Sequence, residues 1–307
     1  MMRKPLDVFC VADVSVDLVL AGNVRPQFRQ VEQLIDDYIL DPSGSAIIFA
    51  TQFAKIGGRV GVAGWVGRDV FGEFVLANLN SLGVDTAHVQ RHDTLKTGIS
   101  VELTERDDRA ILTYLGTIDA FEPFELTGHL LATTQHWHVA CYFLLRKLRS
   151  HWKSWLERCR AEKLTTSLDT NWDPEDRWEG VIEILPLVDV FLPNEAEARA
   201  IARETDVTKA GERLAGYGPL VVIKRGSDGA VAFKGKQRWQ SPPTSHPDNP
   251  IKVVDSIGAG DNFDAGFLRA WLLGREIDQC LDLASRCAIS SLGAAGPIEG
   301  QLREIVE

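Results

Sequence analysis

A chain of 307 residues with 45% hydrophobic and 25% charged side chains carries enough apolar material for a large globular core. No apolar run approaches the roughly 20 residues that a membrane span requires. A formal net charge of -10 argues against a nucleic-acid partner, which clustered Lys and Arg would have to hold, but not against a small nucleotide gripped by local N–H groups.

Met1 to Lys4 start as a signal peptide would, yet Asp7, Asp13 and Asp17 interrupt the apolar run that should follow, so a cytoplasmic protein is expected. Cys10, Cys141, Cys159, Cys280 and Cys287 are odd in number and scattered without a CxxC pair, the pattern of reduced, buried thiols. Residues 8–11 read as a strand buried on both faces. Asp13 and Asp17 then alternate with valines, as on a strand with one apolar and one solvated face. Between 96 and 115, Ile99, Val101 and Leu103 alternate with Ser100, Glu102 and Thr104, a turn follows at residues 106–108, and a second strand returns: a hairpin.

From about residue 135, apolar runs (137–140, 166–168, 188–192 and 220–223) alternate with longer amphipathic stretches, which predicts a mostly parallel sheet covered by helices on both faces. His136 and His138 flank Trp137 at strand spacing; without a third convergent ligand they read as ordinary strand residues. Asn194, Glu195 and Glu197 lie just past a strand, where first-turn acids also complement a helix dipole. Lys224 and Arg225 precede Gly226 and Gly229 and could meet either phosphates or neighbouring acids.

The most constrained stretch is 255–266, Asp-Ser-Ile-Gly-Ala-Gly-Asp-Asn-Phe-Asp-Ala-Gly. Gly258 and Gly260 allow close approach of backbone to a ligand, and Phe263, Phe267, Leu268, Trp271 and Leu272 continue at helical spacing up to Gly274. A glycine turn that opens a helix presents free N–H groups at the positive end of the dipole, an anion site. Two readings of Asp261 stay open from residue type alone: a first-turn acid that complements the dipole, or a base beside a transferred phosphoryl group.

This dozen residues resembles the C-terminal signature of the ribokinase (PfkB-type) carbohydrate kinases. The Walker Lys-Ser/Thr and the dinucleotide glycine spacing are both absent. The resemblance covers nearly the whole chain and implies one kinase domain over 1–307, a three-layer α/β/α sandwich with a small β lid from strands within about 13–40 and 96–115. It implies ATP and Mg2+ as cosubstrate and metal, a small polyol as acceptor, and a homodimer formed through the lid. Asp261 is then the base and the backbone of Gly258, Ala259 and Gly260 the anion hole. Asp17, Ser43 and Gly44 fall on the substrate side, and Asp13 is an extra acid there to which the family assigns nothing. Asn194, Lys224, Gly226, Gly229, Ser285 and Ala288 fall on the nucleotide side. Glu197, with Asn194 through water, would order Mg2+, and Asp255 would border a monovalent cation such as K+. Ile48 departs from the pattern, standing where many members carry an Asn that contacts the sugar. Two rival readings are a nucleoside kinase of the same fold and a catalytically weak protein that senses a sugar or nucleotide.

Overall fold

The computed structural model describes residues 6–104, 109–242 and 253–307. The expected hairpin turn at 106–108 and the opening residues Met1 to Lys4 lie outside these. The larger sheet contains β1 (Leu6–Val11), β4 (Val60–Gly67), β5 (Asp85–His92), β8 (Thr134–Val139), β9 (Thr165–Leu168), β10 (Val190–Phe191), β11 (Leu220–Lys224), β12 (Ala230–Lys234) and β13 (Gln237–Gln240). Its order is β13-β12-β11-β10-β9-β8-β1-β4-β5, parallel throughout except for the two antiparallel pairings of β12. A second sheet, β3-β2-β6-β7, is made from β2 (Ser15–Ala21), β3 (Asp37–Ser43), β6 (Gly98–Thr104) and β7 (Arg109–Tyr114), the small lid that the sequence predicted.

Strands buried on both faces alternate between two cores. Phe9, Val11, Trp137, Val139, Val221 and Ile223 face one, where they meet α3 (Trp152–Ala161), α4 (Glu195–Ala202) and α5 (Val207–Ala215). Val8, Cys10, Val62 and Val222 face the other, under α1 (Ser45–Lys55), α2 (Val70–Ser81), α6 (Ala259–Leu272) and α7 (Ile277–Ser291). Each face therefore needs its own helical layer, giving the α/β/α sandwich. All five cysteines are free and buried.

Helix α6 is buried along most of its length, from Asn262 to Ala270, because it lies between α1 and α7. Gly266 permits that packing: a β-carbon there would come within 2.9 Å of Ala284 Cα and Cys287 Sγ on α7. His136 and His138 are engaged within the core. Both rings bracket Ser167 Oγ at 2.6 and 2.7 Å, and His138 stacks on Phe49 of α1 at 4.3 Å. Burial pushes the His138 imidazole down to about 3, so it stays neutral.

The expectation of one continuous strand through Asp13 and Asp17 is corrected by the structure. β1 stops at Val11, Asp13 lies in the connection, and only Asp17 is on β2, in the lid. Asp13 leaves the strand because its carboxylate caps α1, accepting from the N–H groups of Ser45 (3.0 Å) and Ala46 (3.2 Å).

Candidate active site

The C-terminal ends of β1, β8, β9, β10 and β11 deliver Asp13, Cys141, Asp169, Asn194 and Lys224 to one edge of the sheet, and α6 points its N-terminus at the same edge. Open parallel sheets bind ligands at this edge, in the crevice that opens where neighbouring connections leave to opposite faces. A cleft of about 600 Å3 lies along it. Its lining includes residues 258–261, Lys224, Gly226, Gly229, Asn194, Glu197, Ser285 and Ala288, so the expected catalytic and nucleotide-side residues are brought together.

Gly258 is the N-cap of α6 with φ of 68°, a left-handed angle that a side chain adopts only with strain, and no side chain caps the first-turn N–H groups. Ala259 N donates to Ser256 O at a long 3.4 Å, and among the described residues no side chain competes for the N–H groups of Gly260 and Asp261, which suits an anion there. Asp261 stands in this first turn. Burial, then the charge of Asp169, raises its carboxyl well above the usual range, while Lys224 opposes the shift. A carboxylate held in that way is a better proton acceptor than a solvated one.

Ile48 packs against the glycine turn: its Cγ2 would lie 2.8 Å from a β-carbon placed on Gly258. Its backbone carbonyl accepts from Gln301 Nε2 (3.0 Å), which also donates to Asn262 Oδ1 (2.9 Å). The apolar departure from the family pattern thus buttresses the turn that would hold the phosphoryl group.

Asn194 and Glu197 form a capping box at the start of α4: Glu197 accepts from Asn194 N (2.9 Å) and Nδ2 (2.6 Å), and Asn194 Oδ1 accepts from Glu197 N (2.9 Å). The cap and the cleft share these side chains. Burial, then the charge of Asp169, raises Glu197 to about 7. Lys224 meets buried acids and not surface ones, through Asp169 Oδ2 at 2.8 Å and Asp264 at 3.0 and 3.1 Å. Arg225 turns away to Glu195 at 2.9 Å.

The residues expected on the substrate side, Asp13, Asp17, Ser43 and Gly44, are not among those that line the cleft; Asp17 and Ser43 belong to the small sheet itself. Asp17 accepts from Ser43 Oγ at 2.5 Å, and it faces Asp41 across the β2–β3 ladder and Ser100 across β2–β6. Gly44 precedes α1 directly beneath Asp13. Asn171 donates from its side chain to Ser45 Oγ and links the cleft to the start of α1. Asp255 is taken up by loop closure, accepting from Ile257 N and Gly296 N, both at 3.0 Å.

Burial, followed by the charges of Asp13, Asp41 and Asp255, raises Asp17 to about 6 from 3.8. A raised carboxyl destabilises the fold when ionised, so this cost is present above pH 6 and disappears as pH falls from 6 towards 4. At most the shift corresponds to about 3 kcal/mol. Asp17→Asn is therefore expected to raise the melting temperature at pH 8 and to leave it unchanged at pH 4. Loss of a charged acceptor should lower kcat/KM for the acceptor about 10- to 100-fold. Thermal melts at the two pH values, beside kinetics, check both halves.

Sequence reasoning missed Asp169, Asn171 and Asp264. Asp169 was signalled as an acid one residue beyond a predicted parallel strand, and Asp264 as an acid three residues after Asp261, on the same face of one helix.

Comparison with known proteins decides the family. The model for the pfkB family carbohydrate kinases matches residues 6–303. The chain belongs to this family. Among its relatives, fructoselysine 6-kinase of Shigella flexneri is 27% identical over 252 residues, 81% of this chain and 88% of that protein. Cytidine kinase of Thermococcus kodakarensis is 27% identical over 286 residues, 91% and 93% of the two chains. An E. coli protein assigned as ribokinase II, solved with ATP and Mg2+, superposes with a TM-score of 0.85 at 22% identity over 97% and 96% of the chains. This pfkB-family chain is thus a phosphotransferase with a hydroxyl acceptor and the ribokinase fold. Among the described residues, no helix is long and apolar enough to cross a membrane.

Proposed function

We propose that this pfkB-family kinase transfers the γ-phosphoryl group of ATP to a hydroxyl of a sugar or sugar-like polyol, with Asp261 as general base. The observation that carries this reading is the uncapped N-terminus of α6, with Asp261 in its first turn, opening into the cleft. The acceptor hydroxyl gives its proton to the Asp261 carboxylate as its oxygen bonds to the γ-phosphorus. The bond from that phosphorus to the bridging oxygen breaks, and ADP leaves. The N–H groups of residues 258–261 receive the charge that spreads over the phosphoryl oxygens. No covalent intermediate is needed, because positioning and charge stabilisation supply the rate.

The cleft offers donors to ATP: first-turn N–H groups at one place and, further along, Ser285 Oγ, a buried oxygen without a hydrogen-bond partner among the described residues. Gly226, Gly229 and Ala288 line the same nucleotide side. Among the described residues, no group of three His, Cys, Asp or Glu side chains is arranged to hold a metal directly. Mg2+ keeps several waters and leans on substrate phosphates, so Glu197 and, through water, Asn194 would order it. When bound, Mg2+ neutralises phosphate charge. Asp255, with the loop it ties to Gly296, is the place assigned to a monovalent cation. Asp17, Ser43 and Gly44 would orient the acceptor under the lid, with Asp13 holding α1 in place; we assign the protein to the cytoplasm, where ATP is available.

The reading is tested by ADP release from Mg-ATP across hexoses, pentoses, acidic sugars, glycated amines and nucleosides. Turnover with one compound supports it; nucleotide binding without turnover on any of them favours the sensor. A nucleoside as best acceptor would instead place the protein with its cytidine-kinase relative.

We infer that the outer face of the lid is a partner surface. Tyr38 (66% exposed), Leu112 (63%) and Tyr114 (50%) share the face of Leu18, Leu40 and Val101, opposite Asp17. A second copy of the chain would cover it, as the family resemblance implies. Leu112→Glu is expected to convert a dimer into a monomer in analytical ultracentrifugation; an unchanged mass would remove this interface.

A further inference from the structure

Asp261 and the turn around it do not account for a buried ion cluster beside them. Lys224 is 12% exposed at its side chain, and its ammonium sits between Asp169 and Asp264, whose side chains are 3% and 1% exposed. Taking one lysine and two carboxylates out of water is costly, and apolar side chains of similar size would often serve stability as well or better. Such a cluster points to a use for the charge. Its position indicates one: Lys224 Nζ lies 3.5 Å from where a β-carbon on Gly260 would be, so the ammonium is beside the phosphate-binding turn, and Lys224 lines the cleft.

The three members come from three elements. Asp169 follows β9, Lys224 ends β11, and Asp264 sits one turn into α6, three residues beyond Asp261. They are held against one another by hydrogen bonds of 2.8 to 3.1 Å, which leaves the ammonium little freedom to swing away. Arg225, the other cation of that loop, is engaged with Glu195. Lys224 is therefore the cation placed to meet a phosphoryl group seated on residues 258–261.

We propose that Lys224 is a catalytic residue: its ammonium, positioned by Asp169 and Asp264, contacts the γ-phosphoryl group in transit and shares the charge that the α6 N–H groups hold. Asp169 and Asp264 act through Lys224 as positioning residues. This rests on the reading of the cleft as the ATP site. It goes beyond general nucleotide affinity, because it assigns Lys224 to the γ-phosphoryl group and leaves ADP contacts to the glycine loop and Ser285.

The test compares wild type, Lys224→Met, Lys224→Arg and the double variant K224M/D264N in the full chain. Titration calorimetry with Mg-ADP and with Mg-AMP-PNP is run beside kinetics on the best acceptor, with a thermal melt of each variant. Lys224→Met is expected to lower kcat about 10²- to 10³-fold, the loss typical of removing one donor from an anion hole. KM for the acceptor and ADP affinity should hold, while the preference for AMP-PNP over ADP disappears. Lys224→Arg should recover part of kcat, since the charge is retained on a differently shaped head. If Lys224→Met fails to fold, leaving two buried acids without a counter-charge, K224M/D264N removes one of them and is read in the same assays. Equal losses of ADP and AMP-PNP affinity, or an unchanged kcat in a folded variant, would overturn the proposal. Absence of Mg-nucleotide binding in the wild type would instead overturn the kinase reading beneath it.

Discussion

Asp261→Asn is expected to lower kcat about 10³-fold, within the range that a positioned general base contributes, while Mg-ADP affinity stays close to that of wild type. The substitution keeps the size of the side chain and removes its capacity to accept a proton. It also removes a carboxyl that burial and Asp169 disfavour as a charge, so the folded protein should lose no stability and should gain some at neutral pH. An acid that merely complemented the helix dipole would behave in the opposite sense, since its loss would lower stability by a few tenths to one kcal/mol and leave turnover intact. Stopped or steady-state ADP release, paired with a thermal melt, separates the two. Near-normal turnover in Asp261→Asn would remove Asp261 from the mechanism.

The second large effect belongs to Gly258→Ala. A left-handed φ of 68° costs an alanine about 1 to 2 kcal/mol, and the new β-carbon would stand 2.8 Å from Ile48 Cγ2. Either the turn moves or Ile48 does. A displaced turn carries its N–H groups away from the phosphoryl oxygens, and a shift of about 1 Å is enough for a loss near 10²-fold in kcat. We expect such a loss together with a lower melting temperature. Adding Ile48→Ala to Gly258→Ala should relieve the collision but not the backbone strain, so kcat should recover in part. Full recovery would assign the whole effect to Ile48, and no recovery would assign it to the backbone.

The expected drop in kcat/KM for Asp17→Asn and the loss of γ-phosphoryl selectivity in Lys224→Met arise from different sheets. One acts from the lid and one from the sheet edge. Their effects on kcat/KM should add if the two sides bind independently, as distant sites usually do. A strong departure from additivity would show that the lid and the phosphoryl site are coupled.

Much of this molecule is determined locally. The apolar runs at 8–11, 137–140 and 220–223 become β1, β8 and β11 because strands buried on both faces must be continuously apolar. The glycine turn at 258–260 opens α6 because only a residue without a side chain sits easily at that φ, and Gly274 follows its end with φ of 74°. The lid hairpin follows from period-two alternation around residues 99–104. Asp261 was visible for the same reason, lying in a short motif whose chemistry is set by near neighbours, whereas Asn194, Gly226 and Gly229 were singled out by the family resemblance.

What the tertiary structure decided is where unlike residues far apart in sequence converge. Asp13 and Asp17 look equivalent four residues apart, yet a strand end between them gives one to the cap of α1 and the other to the lid. Ile48 reads as a missing sugar contact and becomes the support behind Gly258. Lys224 could pair with any acid of so acidic a chain, and nothing local selects Asp169, 55 residues before it, or Asp264, 40 after it. Those partners are chosen by strand order and by the burial of α6 between α1 and α7, long-range packing that no window of sequence contains.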